Sequence, residues 1–374
     1  MMRDVIVIGA GLAGSGLATQ LATQGWDVLL LERDHFPRHK VCGEFLSPEA
    51  QQSLQALGLD DAVATLTPSL LSQAKFVSRR GFALQLPLPG YAWGVSRYAL
   101  DTALAIGAQH AGVELHTGVT VRGYQAVDGA FLVQTRDADG PAVVRARTVI
   151  AACGRHTQAG LPPQSRSAAA QARYVGVKCH FDQVEMPTQV ELFMLPGGYV
   201  GINPIEGGRV NVCFLIAYAT FAQAGKRLEP LLDKAAQWNP AFGQRLAHGR
   251  FLPETAAVVA PVDTYRPAAP WAGLACIGDT AAMIPPLCGD GMAMALRSAE
   301  LCGPLAHDFL RGVLSLADWE ACYRQRWFAE FSHRLRLGRF LQSWLNVPLL
   351  SDLFVGVGHL APPLAHYLVQ ATRG

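Results

Sequence analysis

The chain has 374 residues, of which 50% are apolar and 16% are charged. This length is enough for two domains with substantial cores, and the composition excludes a disordered or fibrous protein. The formal net charge of +2 favours no binding to nucleic acid, and no uninterrupted apolar run reaches membrane-spanning length.

The eight cysteines are scattered along the chain and include no C-x-x-C pair. This pattern indicates reduced thiols in the cytosol and disfavours a disulfide framework or a structural zinc site. The first strand begins directly after Met1-Met2-Arg3, so we expect no signal peptide, a cytoplasmic location and no bound metal ion.

Residues 4–33 predict a β-α-β unit that binds a dinucleotide. A short apolar run, 4–8, is followed at once by the turn Gly9-Ala10-Gly11-Leu12-Ala13-Gly14 and then by a helix of small and apolar residues, 15–24. A second buried run ends at Glu32, the acid that this motif places after its second strand. A glycine triplet alone is weak evidence, but together with both strands and the acid it predicts dinucleotide binding.

Each part of this unit has a physical role. Gly9 lets the chain turn sharply, Gly11 lets a pyrophosphate approach the backbone, and Gly14 lets the helix pack closely on the strand. The N-terminus of the helix offers free N–H groups and a positive dipole end to the phosphates. Glu32 can accept hydrogen bonds from the ribose hydroxyls of an adenosine, and Arg33 can lie over the adenine or its ribose. The unit by itself is compatible with NAD or FAD.

A basic loop broken by proline occupies residues 33–44 and ends in Cys42-Gly43-Glu44. Because the loop leaves the second strand of a dinucleotide fold, we expect it to lie along the cofactor, with Arg38 or Lys40 near its negative charges. A solvated surface loop is the alternative. Ser47-Pro48-Glu49 then begins a helix, with the serine as N-cap and the proline in the first turn.

The middle of the chain alternates short strands with single helices. The pattern predicts a hairpin at 74–90, a helix at 98–111, and three strands at 114–126, 131–136 and 142–151. A surface link follows at 158–171, and an antiparallel sheet is predicted from strands at 174–181, 190–195, 199–205 and 210–216. Helical texture follows at 226–249, a buried strand at 274–279, and helices at 292–309 and 315–337.

Together these segments resemble the flavoprotein superfamily of para-hydroxybenzoate-hydroxylase fold, which includes aromatic hydroxylases, flavin halogenases and geranylgeranyl reductases. The resemblance covers about residues 1–180 and 265–310 and depends on two motifs besides the opening unit. Gly278-Asp279 matches the Gly-Asp motif whose acid binds the ribityl chain of the flavin. The stretch Pro285-Pro286-Leu287-Cys288-Gly289-Asp290-Gly291 matches the turn that lies along the isoalloxazine ring.

The resemblance assigns further residues to FAD. The helix that starts at Met292 would direct its positive end at the N1/O2 edge of the flavin and stabilise the anionic reduced form. Arg97 matches the helix arginine near FAD, and an ion pair within its own helix is the alternative. The turn that contains Cys42 and Gly43 would lie beside the flavin, as would the loop residue Lys40.

Within the superfamily, two stretches most resemble the branch of geranylgeranyl-reductase-like proteins. They are Lys40-Val41-Cys42-Gly43-Glu44 and Pro196-Gly197-Gly198-Tyr199. The resemblance makes Cys42 and Glu44 the catalytic candidates. A small buried hydrophobic residue is the alternative interpretation of Cys42.

The chain also departs from the superfamily. Cys153-Gly154-Arg155 stands where NADPH-dependent aromatic hydroxylases carry an Asp-Gly pair, which argues against direct reduction by NADPH in their manner. The tryptophan pair of tryptophan-type halogenases is missing, which argues against halogenation. We still expect NADH or NADPH as the electron source, directly or through a separate flavin reductase.

We therefore predict an α/β fold with a Rossmann-like, glutathione-reductase-type FAD domain, an antiparallel-sheet substrate domain and a C-terminal helical segment. The FAD domain is predicted at 1–73, 97–173 and 265–330, the substrate domain at 74–96 and 174–264, and the helical tail at 331–374. The tail continues a stretch of alternating arginines and aromatic residues, which we expect to pack on the flavin domain. Peripheral contact of this basic stretch with a membrane is the alternative.

The predicted activity is that of an FAD-dependent oxidoreductase whose substrate is an apolar small molecule: aromatic, quinone-like, polyketide-derived or a prenyl lipid. The chemistry belongs to the cofactor, so the sequence does not decide the reaction. We favour monooxygenation by the reduced flavin. Reduction of a carbon–carbon double bond, as in geranylgeranyl reductases, is the alternative, and a flavin electron carrier is the third possibility.

Overall fold

The computed structural model describes residues 2–155 and 174–345. The strands are β1 (Met2–Ile8), β2 (Val28–Glu32), β3 (Phe45–Leu46), β4 (Ser69–Val77), β5 (Ala83–Gly94), β6 (Glu114–Thr117), β7 (Thr120–Val127), β8 (Ala130–Asp137), β9 (Gly140–Ala151), β10 (Tyr174–Asp182), β11 (Gln189–Leu195), β12 (Gly198–Pro204), β13 (Val210–Ala217), β14 (Arg250–Val262) and β15 (Ala275–Cys276). The helices are α1 (Leu12–Thr23), α2 (Pro48–Ala56), α3 (Asp60–Ala64), α4 (Arg97–His110), α5 (Tyr218–Gln223), α6 (Leu228–Trp238), α7 (Pro240–Leu246), α8 (Gly291–Leu310) and α9 (Leu316–Leu345). Single 3-10 turns occur at Glu206–Gly208, Gly278–Thr280 and Pro286–Cys288.

The first sheet contains the opening β-α-β unit. Strands run in the order β6-β2-β1-β9-β8-β7, and β15 pairs with β9 off this path. The pairs β6–β2, β2–β1, β1–β9 and β9–β15 are parallel, whereas β9–β8 and β8–β7 are antiparallel. All five residues of β2 are buried, as expected of a strand with a covering layer on each face.

The second sheet has eight strands in the order β14-β10-β13-β12-β11-β4-β5-β3. All neighbouring pairs are antiparallel except β4 and β11, which run parallel. The predicted α/β fold class is therefore confirmed, with one parallel pair inside a sheet that the sequence predicted as antiparallel. The domain boundaries stay a prediction, although the second sheet also includes β3 and starts β4 at Ser69, five residues before the predicted hairpin.

One other predicted strand differs from the structure, and one observed strand was not predicted. The predicted strand 114–126 is two strands, because the chain turns at Gly118, whose φ is +74°. β14 had no counterpart in the prediction. It contains Pro253 and Pro261, which break the usual strand pattern, and it lies at the edge of its sheet, where proline is tolerated. The predicted link 158–171 and the tail beyond residue 345 lie outside the described residues.

Helix α9 packs on the first sheet's core and ends eight residues later than predicted. Its buried face repeats every four residues and consists of Trp319, Tyr323, Trp327, Phe331 and Leu335. The Tyr323 hydroxyl also donates to the Cys276 carbonyl at 3.0 Å. This part of the basic stretch is thus a helix packed on the flavin domain, as the sequence favoured. Among the described residues, no helix is both long and apolar enough to cross a membrane.

Candidate active site

The glycines of the opening turn allow a contact that larger residues would prevent. Gly9 has a φ of +103°, and a Cβ atom on it would lie 2.5 Å from the Ala152 carbonyl oxygen. A Cβ atom on Gly14 would overlap the Gly9 carbonyl oxygen. Helix α1 therefore packs directly on the end of β1, which is the role predicted for Gly14.

The N-terminus of α1 forms a cradle for an anion. The helix begins at Leu12, and its N-cap Gly11 has no side chain that could accept hydrogen bonds from the N–H groups of the first turn. A Cβ atom on Gly11 would lie 3.8 Å from Lys40 Nζ and 3.9 Å from Arg97 Nη2. Two cations therefore stand beside the helix N-terminus, where the sequence places the pyrophosphate, and these residues fit FAD.

A buried carboxylate orients these cations. The Asp101 oxygens accept hydrogen bonds from Arg97 Nε at 2.6 Å and Nη2 at 2.9 Å, and Lys40 Nζ lies 3.9 Å away. The ion pair within α4, proposed as the alternative role of Arg97, therefore exists together with the placement beside Gly11. Burial alone would raise the pKa of the Asp101 carboxyl, but the charges of Arg97 and then Lys40 bring this pKa below its usual value. Burial lowers the pKa of Lys40 to about 8.

Glu32 is held at the end of β2 beside the glycine turn. Its carboxylate accepts hydrogen bonds from the Ala10 N–H at 2.9 Å, the Asp34 N–H at 3.1 Å and Arg38 Nη2 at 3.0 Å. This arrangement keeps the carboxylate at the predicted ribose position. Arg33 is only partly buried and lies 3.6 Å from the Asp34 carboxylate.

The Gly-Asp turn meets the opening turn in space. A Cβ atom on Gly278, whose φ is +60°, would lie 3.2 Å from the Ala13 Cβ atom in the first turn of α1. The Gly278 N–H donates to Ser298 Oγ at 2.7 Å, which fixes the turn to α8. The Asp279 carboxylate lies 3.9 Å from Arg155 Nε. The two glycine motifs, far apart in the chain, therefore lie next to each other.

The second flavin turn leads into α8 and is held to α9 by an ion pair. Pro286 begins a 3-10 turn, Gly289 follows with a φ of +69°, and α8 starts at Gly291 with Met292 buried behind it. The buried Asp290 carboxylate lies 3.3 Å from Arg334 Nη1 of α9. The N-terminus of α8 therefore has a fixed direction relative to the cavity described next.

An apolar cavity of about 170 Å³ lies between the second sheet and the two predicted flavin turns. Of the residues that the structure describes, Arg155 is the sole charged one in the wall of this cavity. The wall is formed by Val41, Cys42, Gly43, Phe45, Ala74, Phe76, Arg155, Gly176, Val190, Leu192, Tyr199, Gly201, Asn203, Cys213, Phe214, Leu215, Val262, Pro286, Leu287, Cys288, Gly289 and Leu341. Such a wall suits an apolar molecule and the ring of a flavin.

The two catalytic candidates occupy different positions. Cys42 lines the cavity, and its sulfur accepts a hydrogen bond from the Glu44 N–H at 3.4 Å. Glu44 lies behind the wall and is fully buried, so its side chain does not face the cavity. Its carboxylate accepts hydrogen bonds at 2.7 Å from both Lys178 Nζ and His180 Nε2.

Sequence reasoning missed the two amides that hold this turn from the sheet side. Asn203 Nδ2 donates to the Glu44 carbonyl at 3.2 Å. Asn211 Nδ2 donates to the Gly43 carbonyl at 2.8 Å and to the Cys42 carbonyl at 3.3 Å. The sequence signals these contacts only by placing an Asn within an apolar strand. This pattern predicts that the buried amide forms hydrogen bonds, but it does not show which backbone groups the amide reaches.

The cations beside the N-terminus of α1 and the apolar cavity at the second flavin turn together define a flavoprotein of the dinucleotide-binding class. The chain belongs to the FAD binding domain family, whose model matches residues 2–312. It is an FAD-dependent oxidoreductase, and the predicted superfamily and FAD cofactor are confirmed.

Curated relatives match most of the chain. It is 30% identical over 345 residues to digeranylgeranylglycerophospholipid reductase 2 of Methanopyrus kandleri, covering 88% of this chain and 83% of that protein. It is 27% identical over 357 residues to menaquinone reductase of Mycobacterium tuberculosis strain H37Rv, covering 90% of this chain and 84% of that protein.

Solved structures share the fold. A flavin-dependent brominase superimposes with a TM-score of 0.81 at 19% identity, over 100% of this chain and 93% of that chain. A geranylgeranyl bacteriochlorophyll reductase-like protein from Thermoplasma acidophilum superimposes with a TM-score of 0.76 at 20% identity, over 95% of this chain and 91% of that chain. At these identities the likeness concerns the fold, and the roles of individual residues stay predictions.

Proposed function

We propose that this protein reduces carbon–carbon double bonds in the prenyl chain of a lipid. The observation that carries the proposal is the match, over about nine-tenths of the chain, to reductases whose names denote prenyl-bearing lipids. The apolar wall of the cavity agrees with such a substrate. Monooxygenation, which the sequence favoured, stays a prediction. The halogenase and brominase structures are only 17–21% identical to this chain, so they indicate its fold and not its reaction.

Reduced FAD in this site would supply hydride chemistry for the double bond. The chain supplies the binding and the proton. The N-terminus of α1, with Lys40 and Arg97, would hold the pyrophosphate, and the Asp279 carboxylate would hold the ribityl chain. The cavity wall orients the prenyl chain and excludes water.

Cys42 is the residue in this proposal that handles the proton. Its Sγ atom is at the cavity wall, and a thiol there can give its proton to the second carbon of the double bond. The thiolate left behind would be stabilised by the positive charge of Arg97 and would regain a proton from solvent before the next turnover.

Electrons come from NADH or NADPH, directly or through a separate flavin reductase. The protein would work in the cytoplasm and reach its lipid by peripheral contact with a membrane, with Phe340 of α9 exposed at the surface. Flotation with liposomes that contain anionic lipids at low salt tests this contact. A chain that stays at the bottom of the gradient contradicts it.

An anaerobic assay tests the proposed reaction. The purified yellow protein is reduced with NADH, NADPH or dithionite under argon and incubated with a prenyl lipid, and the product is analysed by mass spectrometry. We expect a gain of two hydrogens per reduced bond without oxygen. A product that forms only in air and gains one oxygen atom would instead establish monooxygenation.

Two variants accompany this assay. Cys42→Ala is expected to bind FAD but lose most of the reduction, whereas Cys322→Ala, on α9 and away from the cavity wall, is expected to behave like the parent. Full activity of Cys42→Ala would remove the thiol from the proposed mechanism.

A further inference from the structure

Four polar side chains form a buried group behind the cavity wall: Glu44, Lys178, His180 and His39. Glu44, Lys178 and His180 have no exposed surface, whereas His39 is partly exposed. Lys178 Nζ lies 2.7 Å from Glu44 Oε1 and 3.3 Å from His39 Nδ1. A buried ammonium that lost its carboxylate partner would be strongly unfavourable, so these groups depend on one another.

The Glu44 carboxylate connects three parts of the molecule. It belongs to the loop that carries Cys42 and Gly43, it accepts hydrogen bonds from Lys178 and His180 of β10, and it accepts the Arg97 N–H at 2.9 Å. The last contact places an anion at the N-terminus of α4, where the helix dipole favours it. The same helix carries the Arg97 guanidinium to the pyrophosphate cradle.

The backbone at Glu44 is held in a conformation that glutamate rarely adopts. Its φ is +52°, in the left-handed region, which costs of order 1–3 kcal/mol for a residue other than glycine and persists only where surrounding contacts impose it. Those contacts are the three hydrogen bonds to its carboxylate and the amide of Asn203 on its carbonyl. They determine where Cys42 and Gly43 lie in the cavity wall.

We propose that Glu44 is a positioning residue that fixes the Cys42–Gly43 turn and the start of α4 against the second sheet, and thereby sets the surroundings of the flavin. The side chain does not touch the cavity, so it acts through the turn and through Arg97. This inference depends on FAD binding and not on the choice of substrate. Its failure is therefore distinct from failure of the proposed reduction.

Glu44→Gln tests the proposal because it keeps the size of the side chain and removes its charge. We expect FAD to bind roughly 10- to 100-fold more weakly, as is usual when a partner that orients a binding group is lost. We also expect a shifted flavin absorption band and a shifted midpoint potential. The measurements are a fluorescence titration with FAD, the visible spectrum and equilibration with redox dyes.

Glu191→Gln is the matched control. Glu191 is an equally buried carboxylate of the same sheet, held by Arg245 at 2.8 Å and Lys75 at 3.6 Å, and it does not line the cavity. This variant is expected to lose stability while keeping the parent's FAD affinity, spectrum and potential. If Glu44→Gln likewise changes only the unfolding midpoint, Glu44 is merely structural and the proposal is overturned.

If Glu44→Gln does not fold, a double variant tests the proposal instead. The double variant Glu44→Gln/Lys178→Met removes both buried charges, so no ammonium is left without a partner. It is expected to fold and to show the same weakened FAD binding and shifted potential. Parent-like values in the folded double variant would overturn the proposal.

Discussion

His39 is a residue whose surroundings make the stability of the protein depend on pH. Burial, and then the charges of Lys178 and His180, lower the pKa of His39 from 6.5 to about 4, with a smaller contribution from Arg209 and opposition from Glu44. In this interval the unfolded chain binds a proton that the folded chain does not. The free energy of unfolding should therefore fall as the pH drops from about 6.5 to about 4, and it should level off below that.

Urea unfolding at pH 7.0, 5.5 and 4.5 checks this prediction. His39→Gln is expected to lose that part of the pH dependence, whereas His248→Gln, at an exposed position, keeps the parent's profile. A His39→Gln variant with the same slope as the parent would show that another group titrates in this interval.

Lys40 makes FAD binding depend on pH in the alkaline range. Because its pKa is lowered to about 8, mainly by burial, the apoprotein loses this cation above that pH. Binding of the anionic pyrophosphate then requires uptake of a proton, and the affinity should fall by up to about tenfold per pH unit above 8.

Titrations of the apoprotein with FAD between pH 7 and 9.5 measure this dependence. Lys40→Met is expected to bind FAD weakly at every pH with a flatter profile. Lys75→Met, whose parent lysine pairs with Glu191 away from the cradle, should retain the parent's dependence. Equal slopes for Lys40→Met and the parent would exclude Lys40 as the titrating cation.

At the scale of an element, β12 determines how much room the substrate has. Tyr199, Gly201 and Asn203 alternate along the strand and all line the cavity. Within residues 2–155 and 174–345, only one atom, the Cys213 carbonyl oxygen at 3.9 Å, would lie near a Cβ atom on Gly201. A larger side chain there would therefore project into open cavity.

Gly201→Leu is expected to keep FAD affinity and to reduce turnover of long prenyl chains by about tenfold or more relative to short ones. The measurement is the turnover of a series of prenyl substrates of increasing length. Ala256→Leu, on the exposed edge strand β14, adds similar bulk outside the cavity and should leave the series unchanged. If Gly201→Leu turns over the substrates of every length as the parent does, the substrate does not bind beside Gly201.

The elements also show what sequence patterns can predict. The opening β-α-β unit and the Gly278 turn were recognised because each is a local pattern with its own turn chemistry. The parallel pair β4–β11 was not, because it joins segments more than one hundred residues apart. The structural partners of Glu44 were missed for the same reason: Lys178 lies 134 residues and His180 136 residues further along the chain.

At the scale of the whole molecule, α9 stabilises the FAD-binding half by packing on its core. Trp327 is 1% exposed, and its neighbour Phe328 is 38% exposed. Trp327→Ala should therefore cost about 3–5 kcal/mol of unfolding free energy, whereas Phe328→Ala should change it by no more than about 0.5 kcal/mol. Chemical denaturation of both variants gives the comparison, and equal losses would mean that α9 is not anchored by its buried face.

The two-residue strand β3 follows Glu44 directly and completes the hydrogen-bonded ladder of the second sheet. The loop that carries Cys42 is therefore continuous with the second sheet and would move together with it. A shift of this sheet to admit a lipid would also displace Cys42 from its place beside the proposed flavin site. In the proposed reaction, a long chain would then be admitted by rotation of side chains that line the cavity, such as Leu341, while the sheet itself stays still.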